Sequence, residues 1–266
     1  MSETTTLQVL KATAKNSFIN KFTLTPPIYW LIQILVVSFF SMYFFVILAD
    51  YVGNPEVTVT YVVIGNAVQS VAITTLASVS QVPGTEKHTG TLGGLIQTPT
   101  PLFTIFLGMS TVGIFTGFCS MLVSLAYAAF IFNVSFAACN FLSVAIIMIF
   151  TCLSLTGLGL MIGSVGIHLR TSAIIANIVS YIGLLISGVN FPISYLPDWV
   201  QVVSNCMPLT YAVEATRSAV NGASLADLWL QIVMMTVLGI IFAIVAWYSF
   251  RFFEKKSRIS GTADNF

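Results

Sequence analysis

Charge is what this sequence has least of. Only 7% of its 266 residues are Asp, Glu, Lys or Arg, whereas 57% are hydrophobic. A water-facing domain carries roughly 25% charged residues, because its surface must be hydrated. That shortage excludes an ordinary soluble fold and makes lipid the natural solvent. A Gly-Lys dipeptide is missing altogether, and with it the G-x-x-x-x-G-K-[ST] loop that cradles nucleotide phosphates. There is no H-E-x-x-H pair and no G-x-S-x-G elbow, which argues against an intramembrane hydrolase. The two histidines, His88 and His168, fall between apolar runs, in segments read as loops. The four cysteines lack the short paired spacing of a zinc site, so no metal is expected. Cys119 and Cys152 sit in apolar runs and read as buried thiols; Cys139 and Cys206 fall toward the same face, and a bridge between them stays open. The net charge of +1 gives no basis for a nucleic-acid partner.

What is present is a set of long apolar runs. A membrane-crossing helix needs about 20 apolar residues. Six runs qualify: Ile28–Ala49, Val59–Ser80, Leu102–Phe132, Phe136–Gly166, Ser172–Asn190 and Trp229–Phe250. The third and fourth are long enough to tilt or overshoot, and the short Asn133-Val134-Ser135 link makes them an antiparallel hairpin. The first run lies far from Met1 and is too long for a signal peptide, so it is read as a retained span. Ahead of it, Leu7, Leu10, Ala14 and Phe18 follow helical spacing, with Lys11, Lys15, Asn16 and Lys21 on the other sides. That pattern predicts a basic amphipathic helix lying on a membrane surface. Pro26-Pro27 separates it from the first span. The expected fold is therefore an all-α, six-span membrane protein with a single transmembrane domain over 1–266. It divides into an amphipathic segment (1–27), a six-span core (28–250) and a tail (251–266).

Basic residues set the orientation. With both termini inside, Lys11, Lys15, Lys21, Lys87, Arg170, Arg251, Lys255, Lys256 and Arg258 are all cytoplasmic, and only Arg217 lies outside. Small residues recur as Gly113-x-x-x-Gly117 and Gly159-x-x-x-Gly163, which permit close helix approach either within one subunit or at a dimer seam.

Two segments outside the spans are patterned beyond what a connector needs. Between the second and third runs, the stretch Glu86–Gln97 can form a short helix parallel to the membrane. Leu92, Leu95 and Ile96 would anchor it while Glu86, Lys87 and His88 face the cytosol. Such a knob suits docking of a soluble partner, though a solvated turn fits the composition equally. Before the last run, Ser187–Gly222 opens with a break at Pro192, and Leu196, Trp199, Val200, Val203 and Met207 then form an apolar stripe. Pro208 interrupts, and Tyr211–Val220 resumes as a helix stopped by Gly222. This reads as a re-entrant or interfacial hairpin. Glu214 and Arg217 are three residues apart and share a helix side. Ionisable groups near lipid are costly unless paired, so they read as a local ion pair or as part of an outer gate.

Glu86-x-x-x-Gly90-Thr91-Leu92, with Leu95 and Thr98-Pro99, resembles the first cytoplasmic loop of ABC-2 type permeases. The segments Ser187-Gly-Val-Asn190-Phe191-Pro192, Leu196-Pro197-x-Trp199 and Asn205-x-x-Pro208-Leu-Thr-Tyr211-Ala-Val-Glu214-Ala-x-Arg217 resemble that family's outer signature, closest to its drug and antibiotic-resistance branch. The resemblance implies a permease subunit of an ATP-driven exporter in a bacterial plasma membrane. It pairs with a second permease, itself or a sister chain, and with two separate ATPase subunits that hold ATP and Mg. The loop with Glu86, Lys87, His88, Gly90, Thr91, Leu92 and Leu95 would be the coupling helix, and the N-terminal helix would also contact the ATPase. Gly93-Gly94 stands where family members often carry Glu after the Thr-Leu pair, which loosens that helix.

Polarity suggests a route through the bundle. Asn66, Ser70, Thr74 and Ser78 form a stripe on the second run, with Gln69 and Thr75 beside it; Asn177, Ser180 and Ser187 share a side of the fifth. In lipid such groups turn inward, for interhelical hydrogen bonds or to line a pathway. Without charge, the stripes favour an amphiphilic or neutral cargo such as a drug, antibiotic or peptide; a lipid-linked glycan is the alternative. A secondary transporter would call for ionisable residues at membrane depth, which the central runs lack.

Overall fold

The computed structural model describes residues 6–24, 26–169 and 172–260, and the described residues are helical with no strand. Arg170 and residues 261–266 of the expected tail lie outside the described residues, as do the side chains of His168 and Arg258. In chain order the helices are α1 (Thr6–Leu24), α2 (Pro27–Val52), α3 (Val59–His88), α4 (Leu92–Gln97), α5 (Leu102–Met109), α6 (Thr111–Phe130), α7 (Phe141–Leu169), α8 (Ser172–Ile186), α9 (Asp198–Asn205), α10 (Pro208–Val220) and α11 (Trp229–Ser260), with a 3-10 turn at Ile193–Tyr195. Among the described residues, five stretches are long and apolar enough to cross a membrane: α2, α3, α5–α6 together, α7 and α11. The fifth expected span is shorter than its apolar run. α8 ends at Ile186, 15 residues long, and so rises only about 22 Å.

The other boundaries differ from the sequence expectation for local reasons. α3 runs on through Pro83 to His88 rather than stopping at Ser80. Proline is tolerated in such helices where packed neighbours replace its lost hydrogen bond, and Pro83 is buried. His88 therefore ends a helix, and His168 falls within α7. The third run breaks at Ser110, whose Oγ donates to the Phe106 carbonyl at 2.7 Å. Back-bonding of this kind bends a helix. The Met109 carbonyl beside the break accepts from Ser17 Oγ of α1 at 3.0 Å. The link between α6 and α7 covers residues 131–140, not three residues, with Asn133 in the left-handed region.

α3 is the hub of the bundle. Every residue from Val62 to Ala72 is buried, and 78% of its most apolar window is buried, against 17% for α2 and for α11. Glycines let neighbours approach it. A Cβ on Gly113 or Gly159 would fall within 3 Å of Val79, and one on Gly117 within 2.1 Å of Thr75 Oγ1. Both G-x-x-x-G pairs thus pack within the subunit, as one of the two sequence readings held. α1 lies against α5 and α6. Its inward side carries Leu10, Ala14 and Phe18, whereas Leu7 of the expected stripe is exposed. Phe18 meets Phe115 edge-on at 5.5 Å, and Trp30 stacks on the same ring at 6.2 Å. All four cysteines are free thiols.

Candidate functional site

At one end of α3 the chain turns sharply into α4. The Gly90 amide donates to the Lys87 carbonyl at 3.2 Å and the Thr91 amide to the Glu86 carbonyl at 3.0 Å, with Gly90 at φ +74°. This is a Schellman stop, with glycine supplying the left-handed residue. Thr89 Oγ1 and Thr91 Oγ1 are 2.9 Å apart, and Thr91 also donates to the Glu86 carboxylate. The expected helix over Glu86–Gln97 is therefore two pieces. Glu86, Lys87 and His88 finish α3, while α4 is the six-residue Leu92–Gln97. The motif Glu86-x-x-x-Gly90-Thr91 spells out the stop itself, with first carbonyl, left-handed residue and last amide in register. Leu92 and Ile96 are buried with Phe106, Phe250 and Phe253, and Leu95 packs beside them. The anchoring role expected of these three residues thus has its counterpart in contacts with α5 and α11. Gly90→Asn is expected to be tolerated, Gly90→Ala to cost about 1 kcal/mol of local stability, and Gly90→Pro to cost more, since proline is locked near φ −65°. Thermal melting of the solubilised variants ranks them.

At the opposite end α8 stops at Ile186 and the backbone runs without helix from Ser187 to Pro192. Ser187, Gly188 and Val189 are buried. Buried carbonyls without partners are costly, and Arg217 of α10 meets them. Its guanidinium donates to the Gly188 carbonyl at 2.8 Å, the Val189 carbonyl at 2.6 Å and the Tyr61 carbonyl at 3.0 Å. It also lies over the Tyr61 ring, 3.4 Å from the centroid, and Tyr61 Oη donates to the Gly188 carbonyl at 3.2 Å. Gly188 takes φ +72° at the break. Gly65 of α3 gives the guanidinium its room, since a Cβ there would sit 2.1 Å from the Val189 oxygen.

Arg217 is therefore not paired with Glu214, as the three-residue spacing suggested. Glu214 is exposed, and Gln231 Nε2 approaches its Oε1 at 3.4 Å. On α10, which packs against α3, α7 and α11, one turn of helix separates the exposed Glu214 from the half-buried Arg217. Of the remaining signature residues, Asn190 bonds Asn66 Nδ2 through its Oδ1 at 2.8 Å. Tyr211 Oη donates to the Asn205 carbonyl at 3.1 Å, and Pro208 opens α10 as a buried first residue. Phe191 and Pro192 are half-buried and Pro197 caps α9. Trp199 is 73% exposed, and Val202 and Val203 are exposed with it. The expected stripe of α9 is thus split: Trp199 and Val203 are exposed, whereas Leu196, Val200 and Met207 are half-buried. On the surface nearby, Tyr195 Oη donates to Glu56 and accepts from Asn54.

Between these two ends lies a cavity of about 620 Å³, walled by α1, α2, α3, α5, α6 and the turn after α3. The whole stripe of Asn66, Ser70, Thr74 and Ser78 lines it, with Gln69. Thr75 instead packs on Gly113. From Asn66 to Glu86, both in its wall, the α3 axis rises about 30 Å, close to the thickness of a bilayer's hydrocarbon core. Asn177 does not belong to it: that side chain is exposed on α8. Ser180 is buried, with its carbonyl accepting from Gln69 Nε2 at 2.8 Å. The composition of the fifth run carried no signal to separate these two; only the rotation of α8 does. Arg217 and Asn190 thus touch α3 at one end of this wall, and Glu86, Thr89 and Thr91 border the cavity at the other.

Residues 8–221 match the ABC-2 type transporter family. The chain belongs to that family. The ABC-2 membrane domain is a transport unit and not itself an ATPase, and the apolar helices fit a multi-pass membrane protein. No curated protein matches the sequence.

Proposed function

We propose that this chain is the permease subunit of an ATP-driven exporter that moves an amphiphilic or hydrophobic compound out of the cell. The observation that carries this reading is the cavity beside α3. It joins the turn Glu86–Thr91, the proposed contact for an ATPase, to Asn66, which is bonded to the break at Asn190. A push on the turn is transmitted along one rigid helix to the clamp at Arg217. α8 with the extended 187–192 segment makes a sixth crossing, both termini are cytoplasmic, and residues 1–266 form one transmembrane domain. Trp199 and the exposed face of α9 sit at the outer membrane interface, where aromatic side chains are favoured. Two permeases pair, two ATPase subunits dock at α4 and α1, and ATP and Mg are held by those subunits.

Two measurements test this. Cysteines placed at Lys15, Lys87 and Lys255 are expected to react only with reagent on the cytoplasmic side, and one at Asp198 only from outside. Labelling of the Lys87 position from outside would overturn the orientation. With its ATPase partner in nanodiscs, the chain is expected to support amphiphile-stimulated ATP hydrolysis. Substitution of Glu86 is expected to uncouple that hydrolysis from transport while the protein stays inserted. Normal coupling in the Glu86 variant would reduce the turn to a connector.

A further inference from the structure

The exposed side of α11 changes character along its length. Ile241 and Ile244 are exposed and apolar. Tyr248 and Phe252 are exposed after them, and the exposed Arg251 and Lys255 lie between and beyond these rings. At about 100° per residue these six side chains share one side of the helix. Ala246, Phe250, Phe253 and Ser257 occupy the opposite side and are buried. Apolar, then aromatic, then basic is the order a helix follows as it leaves hydrocarbon for lipid headgroups. The axis from Trp229 to Trp247 rises about 27 Å, close to the thickness of a hydrocarbon core. Trp247 and Tyr248 thus mark one edge of that core, and Arg251 lies one turn beyond it.

The cations are held in place there but not neutralised. Arg251 Cζ lies 5.1 Å from the centroid of the Trp247 ring, and Tyr248 meets that ring edge-on at 4.7 Å. A cation–π contact orients the guanidinium and leaves its N–H groups free to donate. Among the described residues neither Arg251 nor Lys255 has a hydrogen-bond or ion-pair partner. Glu254 is the one carboxylate of α11; it is half-buried, on the flank of the helix rather than its exposed side. The helices α4, α5 and α7, which pack against α11, carry no acidic residue. The two cations therefore face outward without a counter-ion from the protein.

We infer that this end of α11 binds an anionic phospholipid, with the phosphate on Arg251 and Lys255 and an acyl chain along Tyr248, Ile244 and Ile241. Arginine donates to phosphate through a planar fork, and lysine adds a point charge. A zwitterionic lipid offers the same phosphate but brings a cation of its own, which the pair would repel. A soluble acidic protein fits less well, because the apolar stripe that leads to Arg251 would stay in lipid and could not contribute to its docking. The inference needs only that α11 crosses a bilayer. It holds whatever the cargo is and whichever ATPase docks.

The test uses the full chain in bilayers and reads fluorescence from Trp247, with Trp30, Trp199 and Trp229 changed to Phe. Phosphatidylglycerol and phosphatidylcholine are mixed, with bromine on the acyl chains of one lipid or the other. Bromine quenches only nearby indole, so the two series give the relative affinity of the lipids for this one position. Phosphatidylglycerol is expected to be preferred about fivefold, as one or two cations at an anionic surface would support. The double variant Arg251→Gln with Lys255→Gln is expected to bring the ratio close to one, and Arg251→Lys to keep most of it. A chain that retains Trp199 alone is expected to show no preference. Equal quenching by the two lipids at Trp247 overturns the inference, as does a preference that survives the double variant. An equal preference at Trp199 overturns it too, since that would be enrichment around the whole protein and not a site. Failure of ATP-driven transport would leave this result standing, so the two readings fail separately.

Discussion

Arg217→Ala is expected to produce one of the two largest losses of stability of any single substitution in this chain, about 2–5 kcal/mol, and to abolish transport. The guanidinium is the donor for the Gly188, Val189 and Tyr61 carbonyls. Hydrogen bonds to a charged group contribute about 1.5–3 kcal/mol each, and a stranded buried acceptor costs about 1–3 kcal/mol. Recovered hydration of the cation offsets part of that sum. Tyr61 Oη would still serve Gly188, but Val189 O would lose its donor. Arg217→Met keeps the length and apolar packing and should fall nearly as far as alanine, which separates lost bonds from lost volume. Arg217→Lys should fall between, because one ammonium cannot reproduce the planar fork. Glu214→Ala is expected to stay within about 0.5 kcal/mol, as an exposed site with one long contact. Melting of the solubilised variants decides the matter. Matching losses for Glu214→Ala and Arg217→Ala would restore a shared role for the two residues and contradict the clamp.

The contrast between those two residues marks where sequence reading reaches its limit. Spacing placed Glu214 and Arg217 on one helix side, and the sequence signalled correctly that an arginine beside apolar segments needs partners. Its partners are backbone carbonyls of a segment 28 residues earlier and of α3, 156 residues earlier, and backbone acceptors leave no mark in a sequence. The stripe on α3 was legible because four polar residues at i, i+4 intervals in an apolar run define a face whatever the helix packs against. Asn177 shows the converse: a lone amide on α8 shares a side with Ser180 only loosely, and packing turned one out and the other in. The stop at Gly90 was written in the motif but obscured by its neighbours, since Leu92, Leu95 and Ile96 continue a helical spacing across the turn. α3 outran its expected end at Ser80 because Pro83 and Gly84 signal a turn in water, whereas a packed bundle supplies the contacts that let the helix continue.

Gly65→Ala is the second substitution expected to have a large effect, and it strikes the same clamp from the opposite side. The added methyl would lie 2.1 Å from the Val189 oxygen and 2.6 Å from Arg217 Nη2, well inside contact distance. The carbonyl belongs to a buried backbone segment, so relief requires α3 and the break to move apart. Overpacking of this kind typically costs about 1–3 kcal/mol. Helix propensity pulls the other way, since alanine is favoured over glycine by about 1 kcal/mol in a helix interior. A net loss therefore reports the close approach itself. Because the methyl and the guanidinium compete for one space, the pair should couple. In Arg217→Met protein, Gly65→Ala is expected to cost less than it does beside Arg217, with an interaction of at least about 0.5 kcal/mol. Melting curves for wild type, both single variants and the double variant measure it. A stabilising Gly65→Ala would show that α3 and the 187–192 segment are not in contact. Strictly additive losses would separate the glycine from the arginine, leaving the clamp without the notch that admits it.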